Sequence, residues 1–131
     1  MRALDTNVLV RALVQDDPAQ TKAALALLKN HLVYVPVTVV LELEWVLRSR
    51  YAFPQGVIAQ ALEKLTALEN VVMGERDAVL SATAKLAHGW DFADALHHAL
   101  SQGCADFVTL DADLAKRSRR VRGVDPAVVR L

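Results

Sequence analysis

Short apolar runs alternate with longer stretches of helical period along the whole chain. That alternation restricts the fold more than any other feature. Residues 2–5, 33–35, 71–73 and 107–110 have the length and residue types of strands, the last of them expected to be buried, and one more strand is expected near 121–124. Helical patterns fill the intervals: 7–15, 18 to about 30, 39 to about 50, 54–68, 77–88, 91 to about 102 and 112 to about 117. Val8, Leu9, Ala12 and Leu13 share one face, as do Val57, Ile58, Ala61, Leu62 and Leu65. Local signals agree with this division. Asp17-Pro18 supplies an N-cap and a first helical residue, Thr38 and Asp91 are expected caps, and Gly103 closes a helix. Strands that alternate with helices build an α/β protein with a parallel sheet covered on both faces.

No linker separates these elements, and 131 residues suit one domain spanning 1–131. Hydrophobic residues make up 53% of the chain, which argues against disorder. The formal net charge is zero, so global charge does not draw the protein to a polyanion; local patches or bound cations must do so. Cys104 stands alone and cannot form an internal disulfide. Together with an N-terminus that does not read as a signal peptide, this leads us to expect a cytoplasmic protein. No apolar run reaches the roughly 18 residues needed to cross a membrane. There is no HExxH, paired-cysteine, GxxxxGK[ST] or GxSxG pattern, so zinc, phosphate-loop and serine-elbow chemistries lack their residues.

What remains is acid. Asp5, Glu42, Asp94 and Asp111 each lie beside an apolar run, in ALDTNVLV, VVLELEWVL, DFADALHHAL and FVTLDADLAK. Asp5 and Asp111 end strands, where parallel sheets bind ligands, although either also suits a helix cap. Thr6-Asn7 after Asp5 makes three consecutive polar groups, more than a cap needs. Glu42 and Glu44 lie equally far from the apolar face of their helix. Glu44 has Arg48 four residues on for a surface ion pair, which leaves Glu42 for a site. Asp94, in a first turn that Asp91 caps, reads locally as an ordinary helix start. Two carboxylates at ~4 Å repel by about 4 kcal/mol at an effective dielectric near 20, so convergence of all four acids requires a cation or retained protons. Mg2+ or Mn2+ prefers such oxygen ligands and can activate water toward a phosphoryl group.

Other groups are less directive. His97 and His98 follow Asp94 at helical distance, but packed or exposed histidines are commoner than ligands. The basic run from Lys116 through Arg117, Arg119 and Arg120 to Arg122 suits either a solvated surface or a nucleic-acid backbone. Trp45, Trp90 and Tyr51 suit core or interface packing.

Taken in order, ALDTNVLV, LELEWVL, DFADAL and FVTLDADL resemble the PIN domain, and in particular VapC-type ribonuclease toxins. The resemblance covers nearly the whole chain. It implies a three-layer α/β/α sandwich around a central, mostly parallel sheet, and Mg2+- or Mn2+-dependent endonucleolytic cleavage of RNA. It places the family's acids on Asp5, Glu42, Asp94 and Asp111, with Asp5 and Asp94 as metal ligands and Thr6 as a supporting polar group. It overrules the local reading of Asp94 as part of a cap alone, and it leaves Asp113 without a role. It further implies a small antitoxin partner, with a segment and an arginine entering the acidic groove, and a homodimer. Two other classes compete. One is a PIN-like module that binds RNA or a partner without cleaving; the other is a receiver- or phosphatase-like phosphoryl acceptor, whose second Asp or placed lysine is missing after Asp5-Thr6-Asn7.

Overall fold

Polar, proline and glycine residues cut the apolar runs short, so the strands are brief and helices carry most of the chain. A computed structural model describes residues 1–131. In chain order the elements are β1 (Arg2–Ala3), α1 (Thr6–Val14), α2 (Pro18–Asn30), β2 (Val33–Val35), α3 (Val37–Ser49), α4 (Gln55–Ala67), β3 (Val71–Met73), α5 (Arg76–Lys85), α6 (Phe92–Ala99), β4 (Asp106–Thr109), α7 (Ala112–Ser118) and β5 (Ala127–Arg130). A 3-10 turn at Leu86–His88 separates α5 from α6.

Aspartates start four of the seven helices. Asp5 accepts from the Thr6 amide, Asp17 from the Gln20 amide, Asp91 from the Asp94 amide, and Asp111 from the Asp113 and Leu114 amides. The expected Thr38 cap does not form. Pro36 takes that place because its carbonyl already accepts from the Val39 and Val40 amides, at 3.0 and 3.2 Å, so α3 begins at Val37. Past α6, Gly103 adopts a left-handed φ of +87° within a turn, and the helix itself stops earlier than expected, at Ala99.

Every strand pairing is parallel. β2 lies between β1 and β3, with Ala3 opposite Tyr34 and Val35 opposite Met73. β4 pairs with β5, Val108 opposite Val129. The sheet is therefore two ladders, β1-β2-β3 and β4-β5, where the sequence suggested one. Seven helices with these parallel strands make an α/β sandwich. Val33 and Val35 are fully buried among Leu9, Val40, Leu43, Leu47, Ile58, Leu62 and Trp90, which form the centre of the core. Gly74 ends β3 against β2. A Cβ there would stand 2.8 Å from Tyr34 Oη and 3.0 Å from the Val35 carbonyl.

Two expectations for the end of the chain fail. The last strand lies at Ala127–Arg130, not near 121–124, because Gly123 turns the chain at φ +68° and the β-branched pair Val128-Val129 comes after Pro126. β4 is also not buried on both faces. Phe107 and Val128 pack on the core, and alternation sends Val108 and Val129 outward, 53% and 42% exposed.

Candidate acidic metal centre

Asp5 and Asp111 hold equivalent places in the fold. Each follows the carboxyl end of a parallel strand and begins a helix, where backbone amides favour negative charge. Asp5 Oδ1 accepts from the Thr6 amide at 2.8 Å. Asp111 is held from both sides. Its Oδ1 accepts from Asp113 and Leu114 amides at 2.9 and 3.2 Å, and its own amide donates to Thr109 Oγ1 at 3.0 Å.

Asp94 sits in the first turn of α6 and is partly buried. Burial holds its carboxyl above the usual carboxylate range, the charges of Asp91 and Asp111 push it further up, and His97 and Arg117 oppose the shift. Asp111 and Arg117, from α7 and its start, therefore act on Asp94 from a separate element. Local sequence gives no sign of that meeting. Arg117 belongs to the basic run, but the sequence alone could not choose it from its neighbours.

Glu42 is exposed on α3 and shares a groove with Thr38, Trp45, Arg48 and Ala93, the residue before Asp94. Helices α3 and α6 pack together, so Glu42 opens toward the start of α6. Glu44 takes the other role. Its carboxylate accepts from Arg48 Nε at 2.8 Å and Nη2 at 3.4 Å, which raises the arginine's pKa. The pair was legible from its spacing, but it is no surface pair, since Glu44 is only 2% exposed. Trp45 beside Glu42 is half exposed, so it lies outside the core; the guanidinium of Arg50 lies 5.9 Å from its ring centroid.

The remaining groups sort themselves. His98 is buried, with Nε2 at 2.7 Å from the Pro126 carbonyl and Nδ1 at 3.3 Å from Lys85 Nζ, so both ring nitrogens already have partners. His97 is exposed and within electrostatic reach of Asp94. Asp113 is an exposed first-turn acid of α7. Cys104 is exposed in a turn. No hydrogen bond or resolved charge interaction links Asp5 to the other three acids, and no three His, Cys, Asp or Glu side chains converge on a point able to hold a metal ion. What the structure joins is Asp94 to Asp91 and Asp111 by charge, and Glu42 to the start of α6 through a shared groove.

The family model for the PIN domain matches residues 2–120. The chain belongs to the PIN domain family. No curated protein and no solved structure matches it. The PIN domain is generally a metal-dependent nuclease fold, its nucleases usually use Mg2+ or Mn2+, and the family points to RNA. No helix of this PIN domain is long and apolar enough to cross a membrane.

The donor chemistry of these acids suits such an ion, while no three of their side chains converge on one point. Asp5, Asp94 and Asp111 offer only oxygen, the donor type that hard divalent cations take. Beside Asp5, the Thr6 hydroxyl is buried and lacks any hydrogen-bond partner. An orphaned buried hydroxyl costs about 1–3 kcal/mol, and a water or ion at the site would relieve it. Asp94, on α6, is held above the usual carboxylate range by burial first and by the charges of Asp91 and Asp111 next, so a cation beside it would lower its cost.

Proposed function

We propose that this PIN domain is a Mg2+- or Mn2+-dependent endoribonuclease and the toxin half of a VapBC-type toxin–antitoxin pair. The observation that carries the reading is the setting of Asp94, a partly buried carboxyl at the start of α6 held above the usual carboxylate range by burial first and by the charges of Asp91 and Asp111 next. Asp5 and Asp94 are the metal ligands, with the Thr6 hydroxyl available beside Asp5. A bound Mg2+ or Mn2+ supplies an acidified water and offsets charge on the phosphoryl oxygens.

The chain's own groups do the rest. Glu42, exposed and unpaired, orients the attacking water and takes its proton. Asp111, fixed by its capping bonds, completes the acidic pocket without spending entropy to be placed. Arg117, already within reach of Asp94, holds the non-bridging oxygens of the RNA backbone. Trp45, half exposed beside Glu42, offers a face on which a base stacks.

The same reading includes a small antitoxin that sets an arginine against these acids, a homodimer, a cytoplasmic setting and one functional unit spanning 1–131. Asp5→Asn is the direct test. Cleavage of RNA by the purified protein is expected to require added Mn2+ or Mg2+ and to vanish in Asp5→Asn, while the variant's circular dichroism stays that of wild type. Undiminished cleavage by the folded variant would remove Asp5 from the site and the proposal with it.

A further inference from the structure

Lys85, the last residue of α5, is a cation without a counter-ion. The chain forms two ion pairs, Arg11–Asp16 and Arg48–Glu44, and Lys85 is in neither. The groups that touch its ammonium are neutral. The ammonium donates to His98 Nδ1 at 3.3 Å, reaches Ser81 Oγ at 3.5 Å, and stands 5.1 Å from the centroid of the buried Trp90 ring. The Pro126 carbonyl can only accept, so His98 Nε2, 2.7 Å from it, carries a proton and leaves Nδ1 to accept from the lysine. The imidazole thus fixes the ammonium in place without cancelling its charge. Burial lowers the pKa of Lys85.

A cavity of about 330 Å³ opens at this amine, and Ser81, His88, Gln102, Arg122 and Asp125 share its wall with Lys85. Arg122 brings a second unpaired cation. It comes from the basic run, which the fold divides between two places, Arg117 toward Asp94 and Arg122 here. Asp125 is the one acid in the wall. It pairs with neither cation, and its carbonyl already accepts from Gln102 Nε2 at 2.6 Å. The cavity is distinct from the acidic centre. None of Asp5, Glu42, Asp94 and Asp111 lines it. Its Arg122–Asp125 side also lies beyond the residues that the PIN family model matches.

We propose that this cavity binds a phosphomonoester through Lys85 and Arg122. Lysine as a held point charge and arginine as a planar fork together suit a tetrahedral dianion, and the cavity extends beyond the bare phosphate to admit what it is esterified to. The inference does not rest on the nuclease reading, because it concerns binding alone. The test is titration calorimetry in metal-free buffer of fixed ionic strength, with adenosine 5′-monophosphate, inorganic phosphate and adenosine as separate probes. The monophosphate is expected to bind at one site per chain and adenosine not at all. Arg122→Gln, a change at an exposed residue, and Lys85→Gln should each weaken binding tenfold or more, while Asp94→Asn leaves it unchanged. Binding of inorganic phosphate but not the monophosphate, if lost in Arg122→Gln, identifies free phosphate as the source of the same chemistry. Absence of binding by both phosphate probes, equal affinity in Arg122→Gln, or adenosine binding as tightly as its monophosphate would each overturn the proposal.

Discussion

Asp94 holds its proton more tightly than an ordinary aspartate, and this has a definite sign in stability. Protonation of the native state is favoured, so ionised Asp94 penalises folding above its raised pKa. The penalty shrinks as pH falls through that value, and it is gone below the ordinary 3.8. Asp94→Asn is therefore expected to raise the melting temperature of the metal-free protein at neutral pH and to leave it unchanged near pH 3. Thermal melts of both proteins across that window, with chelator present, check it. Glu42 and Glu44 make a second pair of outcomes. Glu44→Ala strips a buried carboxylate from Arg48 and should cost about 1–2 kcal/mol in urea denaturation, less than a fully buried pair because Arg48 is 43% exposed. Glu42→Gln should leave the urea midpoint in place and abolish cleavage. Sequence distinguished these two glutamates by their partners, since an i,i+4 spacing fixes who can reach Arg48. It could not show that Glu44 is buried, because that depends on what covers α3. Nor could it show that Asp111 acts on Asp94, a meeting made only when α6 and β4 are placed.

At the scale of the elements, caps carry more weight than their size suggests. α7 is a 7-residue helix, too short to hold by propensity alone, and Asp111 satisfies two of its first amides. Asp111→Ala is expected to lose about 1 kcal/mol through the cap as well as any role in the acidic pocket. Asp111→Asn keeps a capping oxygen and removes only the charge. Equal losses of RNase activity in the two variants, with a stability loss in the alanine variant alone, would separate the two duties; denaturation and cleavage assays on the same preparations read both. The helices themselves were legible because their apolar positions recur at helical spacing and their caps are local. The end of the chain was not. The apolar character of 121–124 suggested a strand, and Gly123 turns it; β4 was expected to be buried throughout, but helices cover only its Phe107 side. A run of valines does not say how many of its faces will find a partner.

For the molecule as a whole, alternation of element types was enough to give an α/β protein with parallel strands, since helices between strands bring each strand back in the same direction. The break into two ladders was not readable, because it depends on which strands come near enough to bond. The order of the acids along the chain carried the family likeness, and the family match stops at residue 120. β5 lies past that point, yet it is the strand that pairs with β4. A protein trimmed to the matched span would leave the backbone donors and acceptors of β4 open along that edge, and it would take the Pro126 carbonyl from His98. Such a fragment is expected to associate nonspecifically and to melt early, which light scattering and calorimetry would register. The last eleven residues are thus a seam that closes the fold, and any boundary drawn by family likeness alone would cut through it.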